Sequence, residues 1–310
     1  MPCADRSEEL NYMIRTFERS FMIYCTVILV LFFIPAICGA EMMTGGDIVY
    51  HVVKGDTLEI IGAKLGVNWK DLIKENSIDS GKHLRIGQSI RANTRKIVPK
   101  FVDDGIIINI PDRMLYFFRA GKLLNAFPVG LGMPSWREIT QWRTPEGKFT
   151  VTGKRRNPTW HVPESIQWKT EMEGKPVKTV VPPGPDNPLG RYAVDLTIPR
   201  VVIHETIWPA SVYQFRSHGC IRVLPENMDK FFPEIVTGIT GEIIYEPVKI
   251  SMTGDKVYLE AHRDIYGKFG DLIAASKRLI EDKGFSDKVD WQKVDRVIKE
   301  KKGVAEDVGL

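Results

Sequence analysis

Six consecutive residues, Ser217-His218-Gly219-Cys220-Ile221-Arg222, gather the most reactive side chains in this 310-residue chain. A cysteine attacks a carbonyl as its thiolate, so Cys220 needs a lowered pKa or a base within reach. The candidate base is His204, sixteen positions earlier, where the apolar run Val201-Val202-Ile203 ends. Gly219 lets the backbone pass close to a substrate carbonyl, and the amides around Gly219 and Cys220 are candidate oxyanion donors. Ser217 is read as ordering the turn. His218 and Arg222 are read as substrate-positioning residues, a structural ion pair being the other reading of Arg222. The chemistry available to such a set is attack on an acyl carbon and formation of a thioester. A zinc site is the competing use of His and Cys. Only His204, His218 and Cys220 cluster, and His161 and His262 lack ligand spacing, so no metal and no cofactor is expected.

Several elements must position these residues. Arg200-Val201-Val202-Ile203 reads as a buried strand leading to His204. Leu224-Pro225-Glu226-Asn227 reads as the start of a short helix, whose positive end would favour a thiolate at Cys220. Upstream, Ile106–Ile110, Met114–Phe118 and Leu123–Gly130 are candidate strands, the last two joined by a tight turn at Ala120-Gly121-Lys122. Lys148–Val151 and Ile243–Tyr245 add further strands, and residues 171–188 read as a Pro- and Gly-rich loop. Many short strands with turn signals predict a mainly β, sandwich-like domain over 104–249. Trp136, Trp142, Trp160 and Trp168 crowd one region, as cleft lining or as anchors. Beyond it, 250–310 reads as a helical extension with helices near 269–283 and 289–302.

The N-terminal third is organised differently. Arg15 and Arg19 precede the apolar run Phe21–Cys38, which ends in Ile37-Cys38-Gly39-Ala40. This is the layout of a secretory signal over 1–40 with cleavage near Ala40; an uncleaved membrane anchor is the alternative. Either way the remainder is expected outside the cytoplasm, in the periplasm or cell envelope. Three of the four cysteines fall in that segment, which leaves Cys220 as a lone thiol in an oxidising compartment. Residues 48–93 read as strand, helix, helix, strand. Ile48–Val53 alternates, Asp56 or Thr57 caps a helix carrying Leu58, Ile61 and Leu65, and Asn68 caps a second with Leu72. Residues 94–103 form a basic linker. The net charge of +4 is too weak to argue for nucleic acid and suits an acidic polymer.

Two resemblances follow from these residues. Tyr50, Val52, Gly55-Asp56-Thr57-Leu58, Ile61, Leu72, Asn76, Leu84, Gly87-Gln88 and Ile90 resemble the LysM module. That resemblance implies binding to N-acetylglucosamine-containing glycan, here peptidoglycan, with Gly55, Asp56, Thr57 and Asn76 as the candidate contacts. His204 with Ser217-His218-Gly219-Cys220, together with Phe127–Gly130, Thr144–Gly147 and Val181–Gly190, resembles the L,D-transpeptidase (YkuD) catalytic domain. The Pro-rich loop and Arg222 resemble its periplasmic, lipoprotein-attaching branch. The family usually has His-Gly-Thr where this chain has His204-Glu205-Thr206. The implied reaction is capture of a stem tetrapeptide on Cys220 and transfer to an amine, either of a second stem (a 3→3 cross-link) or of an outer-membrane lipoprotein. An L,D-carboxypeptidase using water, and a non-catalytic wall-binding protein, are the alternatives.

Overall fold

In a computed structural model, residues 43–79, 83–135, 137 and 141–310 are described. The expected signal segment, Cys3, Cys25, Cys38 and Trp136 lie outside them. Among the described residues no helix is long and apolar enough to cross a membrane.

The central body is one mixed sheet that closes on itself. Its strand order is Phe215–Ser217, Lys122–Gly132, Ile221–Val223, Val202–Glu205, Tyr192–Leu196, Gly147–Arg156, Thr240–Ile244, Gly105–Asn109 and Met114–Arg119. Met114–Arg119 then pairs back with Lys122–Gly132 through Ala120 and Gly121, both at positive φ as a primed two-residue turn requires. The mainly β prediction holds, and closure explains why so many short strands leave few edges. β-Branched and aromatic side chains fill the interior, among them Ile106, Ile108, Phe117, Val129, Ile203, Ile221 and Val223. Amphipathic helix Pro225–Glu234 adds Met228, Phe231 and Phe232. The predicted loop at 171–188 instead contains the end of a helix, Glu164–Met172, and a short strand, Val180–Val181, which pairs with Trp160–His161.

The N-terminal module follows its sequence pattern. Asp47–His51 pairs with Ser89–Asn93 around helices Leu58–Leu65 and Trp69–Glu75. Thr57 caps the first helix, and Gly66 ends it in the left-handed conformation. The interval 94–103 is not a free tether. Lys96–Ile97 is a buried strand paired with Met43–Thr44.

The C-terminal extension carries the two predicted helices, at Leu272–Asp282 and Trp291–Glu300. It also has an antiparallel sheet of Val248–Thr253, Lys256–Ala261 and Ala305–Asp307 that the pattern did not announce. Its seam with the central body is charged and buried. Lys249 Nζ lies 2.7 Å from Asp112 Oδ2 and 3.1 Å from Glu260 Oε1, and donates to the Ile97 carbonyl at 2.6 Å. Glu260 also accepts from Ile97 N–H and lies 2.7 Å from His262 Nε2. Asp112, Glu260 and His262 are close enough to share a cation, but the Lys249 ammonium is already seated against both carboxylates. Lys96 reaches Tyr213 Oη at 3.0 Å and the Gly303 carbonyl. Val304 packs into the hydrophobic core of the N-terminal module with Ile61, Leu72 and Ile90. On its other side that module meets the central body through Ala63, Val212 and Leu224.

Candidate active site

Two adjacent parallel strands build the site. His204 pairs with Arg222, and Ile203 with Ile221. Side chains alternate along a strand, so His204, Arg222 and Cys220 share one face while Ile203, Ile221 and Val223 point into the core. His204, Arg222, Ser217, His218, Gly219 and Cys220 all border one cavity of about 340 Å³. The sequence reading placed these six together, and the fold does so. A second cavity, lined by Trp160, His161, Glu164 and Trp168, also reaches Cys220.

The turn before the nucleophile is held from within and from behind. Ser217 Oγ donates to the Cys220 carbonyl at 2.6 Å and accepts from Gly219 N–H at 3.1 Å. Gly219 has φ +106°, which a side chain would strain. Its carbonyl accepts from Thr144 Oγ1 at 3.1 Å, and Thr144 Oγ1 accepts from Gly132 N–H at 2.9 Å. Thr144 N–H donates in turn to Tyr266 Oη, which donates to the Gly132 carbonyl. Thr144 stood in a motif quoted from the sequence without a role; nothing in the sequence announced Tyr266. One expectation is corrected. Gly219 N–H is engaged by Ser217 and is not a free oxyanion donor. The amides of His218 and Cys220 find no protein acceptor among the described residues.

The helix-dipole expectation is also corrected. The helix at Pro225 does form, but the strand Ile221–Val223 separates it from Cys220, and the dipole's influence fades within a turn. Burial pushes the Cys220 thiol up; a Val202 backbone hydrogen bond and the charge of Arg222 pull it back in part. The thiol lies 3.5 Å from the Arg200 carbonyl. Burial lowers His204 to about 4, against the carbonyls of Glu205 and Pro188, which favour its charged form. At neutral pH the resting pair is therefore thiol and neutral imidazole. His204 Nδ1 is 2.7 Å from the Glu205 carbonyl, so it carries the proton and Nε2 is left as the basic nitrogen.

Arg222 makes no ion pair among the described residues, which argues against its structural reading. Its guanidinium lies 5.5 Å from the Trp208 ring centre, inside the cavity wall. His218 meets Trp142 edge-on at 4.6 Å and Lys169 Nζ at 3.4 Å; burial, then Lys169 and Arg222, lower it to about 4. Lys169 comes from the helix Glu164–Met172, which sequence reasoning missed because it buries no apolar stripe. Trp142 is buried and Trp168 exposed. Glu205, the departure from the expected pattern, faces away from the cavity and is gripped by Arg191 Nε at 3.0 Å from each carboxylate oxygen.

In the N-terminal module the candidate glycan contacts are mostly spent on the fold. Asp56 accepts from Tyr50 Oη, Val53 N–H and Lys64 Nζ, at 2.7, 2.9 and 2.7 Å. Asn76 bonds the Leu72 carbonyl and both backbone groups of Arg91. Thr57 caps its helix, and Gly55, at φ +91°, shapes an exposed turn. The side chains of Asp56, Thr57 and Asn76 therefore set loop shape.

Comparison with known proteins agrees with both halves. A family model described as the L,D-transpeptidase catalytic domain, YkuD, matches residues 103–257, and a LysM domain model matches 50–92. The probable L,D-transpeptidase YcfS of Escherichia coli (strain K12) is 30% identical over 232 residues, covering 73% of this chain and 71% of that protein. The probable L,D-transpeptidase YbiS of the same organism is 29% identical over 242 residues, covering 74% and 75%. Among solved structures, Mycobacterium tuberculosis L,D-transpeptidase 1 is 25% identical with a TM-score of 0.30, covering 45% of this chain and 60% of that one.

Proposed function

The chain belongs to the YkuD L,D-transpeptidase family and carries a LysM module, and from that premise we propose that it is an exported peptidoglycan L,D-transpeptidase with Cys220 as nucleophile and His204 as general base. The observation that carries this reading is that Cys220, His204 and Arg222, the last without an ion pair among the described residues, lie on one face of two adjacent strands and border one cavity.

The reaction follows from the geometry. His204 Nε2 takes the thiol proton as the sulfur attacks the carbonyl of the third residue of a stem tetrapeptide. A neutral starting pair suits this, because charge develops only as the S–C bond forms. The amides of His218 and Cys220 receive the oxyanion. The C–N bond to the terminal D-residue breaks, His204 returns the proton to the leaving amine, and a thioester remains. An acceptor amine then attacks the thioester, loses its proton to His204, and releases Cys220. Arg222 is suited to the carboxylate of a stem, since no acid among the described residues pairs with it. The second cavity, which shares part of its lining with the first and also reaches Cys220, supports room for both donor and acceptor.

The acceptor is either the side-chain amine of a second stem or a lipoprotein lysine. Arg222 and the Pro-rich loop support the lipoprotein branch. The LysM module holds the glycan strand. The N-terminal apolar run supports export to the periplasm, where a lone cysteine is not drawn into an intrachain disulfide. The test is mass spectrometry of the purified protein after exposure to a carbapenem, followed by product analysis on muropeptides. A covalent adduct absent from Cys220→Ala and the appearance of cross-linked dimers are expected. Trimmed stems without dimers would make the acceptor water, and no adduct at all with glycan binding intact would leave only a wall-binding protein.

A further inference from the structure

Glu205 is nearly fully buried, yet it lies outside the catalytic cavity. Arg191 closes on it with Nε at 3.0 Å from both oxygens and a terminal nitrogen at 2.9 Å from Oε2, and reaches on to Asp229 of the helix Pro225–Glu234 at 3.0 Å. The chain makes room for this pair at Gly190. That residue has φ +63°, and a Cβ there would lie 2.8 Å from the Glu205 side chain. Where the resemblance leads one to expect glycine after the histidine, this chain has glutamate, and the glycine that faces it sits across the pair at 190.

The two residues of the ion pair flank the groups that hold the base. Glu205 supplies the carbonyl that accepts from His204 Nδ1 at 2.7 Å. Pro188, three residues before Arg191, directs its carbonyl at the ring, where it favours the charged form. The segment between is fastened at its far end by Asn187, whose amide donates to the Pro158 carbonyl at 2.8 Å and accepts from Leu189 N–H at 2.9 Å. We propose that the Arg191–Glu205 ion pair is a positioning device for His204: it locks the strand end and the 187–191 segment together, and so holds the Glu205 carbonyl that orients the imidazole. The proposal rests on His204 being the general base. Arg191 and Glu205 act through that histidine and touch no reacting atom.

The test reads the thiol, not only turnover. Alkylation of Cys220 by iodoacetamide is followed by mass spectrometry from pH 5 to 10 in the full chain. Variants are His204→Ala, Glu205→Gln, Arg191→Met, Glu205→Asp and the double Arg191→Met/Glu205→Gln. His204→Ala is expected to slow alkylation at pH 7 and move the profile to higher pH. Glu205→Gln, nearly isosteric, is expected to move it the same way, with carbapenem acylation slowed about ten-fold and Glu205→Asp recovering part of the loss. The double variant leaves no buried orphan charge, Asp229 being exposed, so it is expected to regain thermal stability while its profile stays displaced. If His204→Ala moves the profile and the double variant gives the wild-type curve, the positioning role is overturned and the general-base reading survives. If His204→Ala leaves the curve unmoved, the general-base reading fails and takes the proposal with it.

Discussion

At the scale of single residues, the site is poised without being charged. The thiol is pushed up by burial and His204 is lowered to about 4. The sign has a direct consequence. A base with a depressed pKa stays available as the solution is acidified, so carbapenem acylation should persist through the usual histidine range near pH 6.5 and fall only as pH approaches 4. Stopped-flow acylation rates against pH would show this; a midpoint near 6.5 would mean that His204 is solvated or is not the base. The turn offers a second prediction. Thr144→Val removes a hydroxyl that accepts from Gly132 and donates to Gly219. Leaving two buried groups unpaired costs roughly 1–3 kcal/mol for each, so a lowered melting temperature and acylation slowed about ten-fold or more are expected. Cys220, His204 and the Ser217 turn were legible because their types and spacing are local. Gly219's commitment to Ser217 and the burial that sets both pKa values were not. Those depend on what the closed sheet brings against them.

Among the elements, the C-terminal sheet and its seam with the central body make the most exposed prediction. His262 is fully buried, and burial lowers it to about 4, although Glu260 acts in the opposite sense. A histidine that is harder to protonate folded than unfolded favours the folded state above pH 6.5. That stability drains away as pH falls from 6.5 through 4. The full shift corresponds to about 3 kcal/mol. Melting temperature measured from pH 7.5 to 4 should therefore drop more steeply for the wild type than for His262→Gln, whose side chain carries no titrating proton. Parallel slopes would refute this. The extension's two helices could be read from capping Asp271 and Asp290 and the apolar spacing that follows each. Its strands escaped because Lys249, Ser251 and Glu260 read as polar surface in sequence, whereas they are buried against partners far along the chain. The helix Glu164–Met172 escaped for the opposite reason, having no buried face to give it a period.

For the molecule as a whole, the N-terminal module is gripped from two sides, by Val212 and Leu224 of the central body and by Val304 of the extension. Module and catalytic body thus fall within one compact unit, 41–310. Val304→Ala removes about two methylene equivalents from that core, worth roughly 1–2 kcal/mol. Limited proteolysis should then cut faster within 94–103, where Lys96 and Ile97 are now buried, while sedimentation with peptidoglycan sacculi is retained. Unchanged cleavage would show that the module is held by the central body alone. The grip also orders events in time. A ribosome makes residue 61 long before residue 304, so the module must wait, with part of its apolar interior uncovered, until nearly the last of these 310 residues has been threaded out. Anything that stalls translation late would yield a protein whose N-terminal module lacks the contact with Val304.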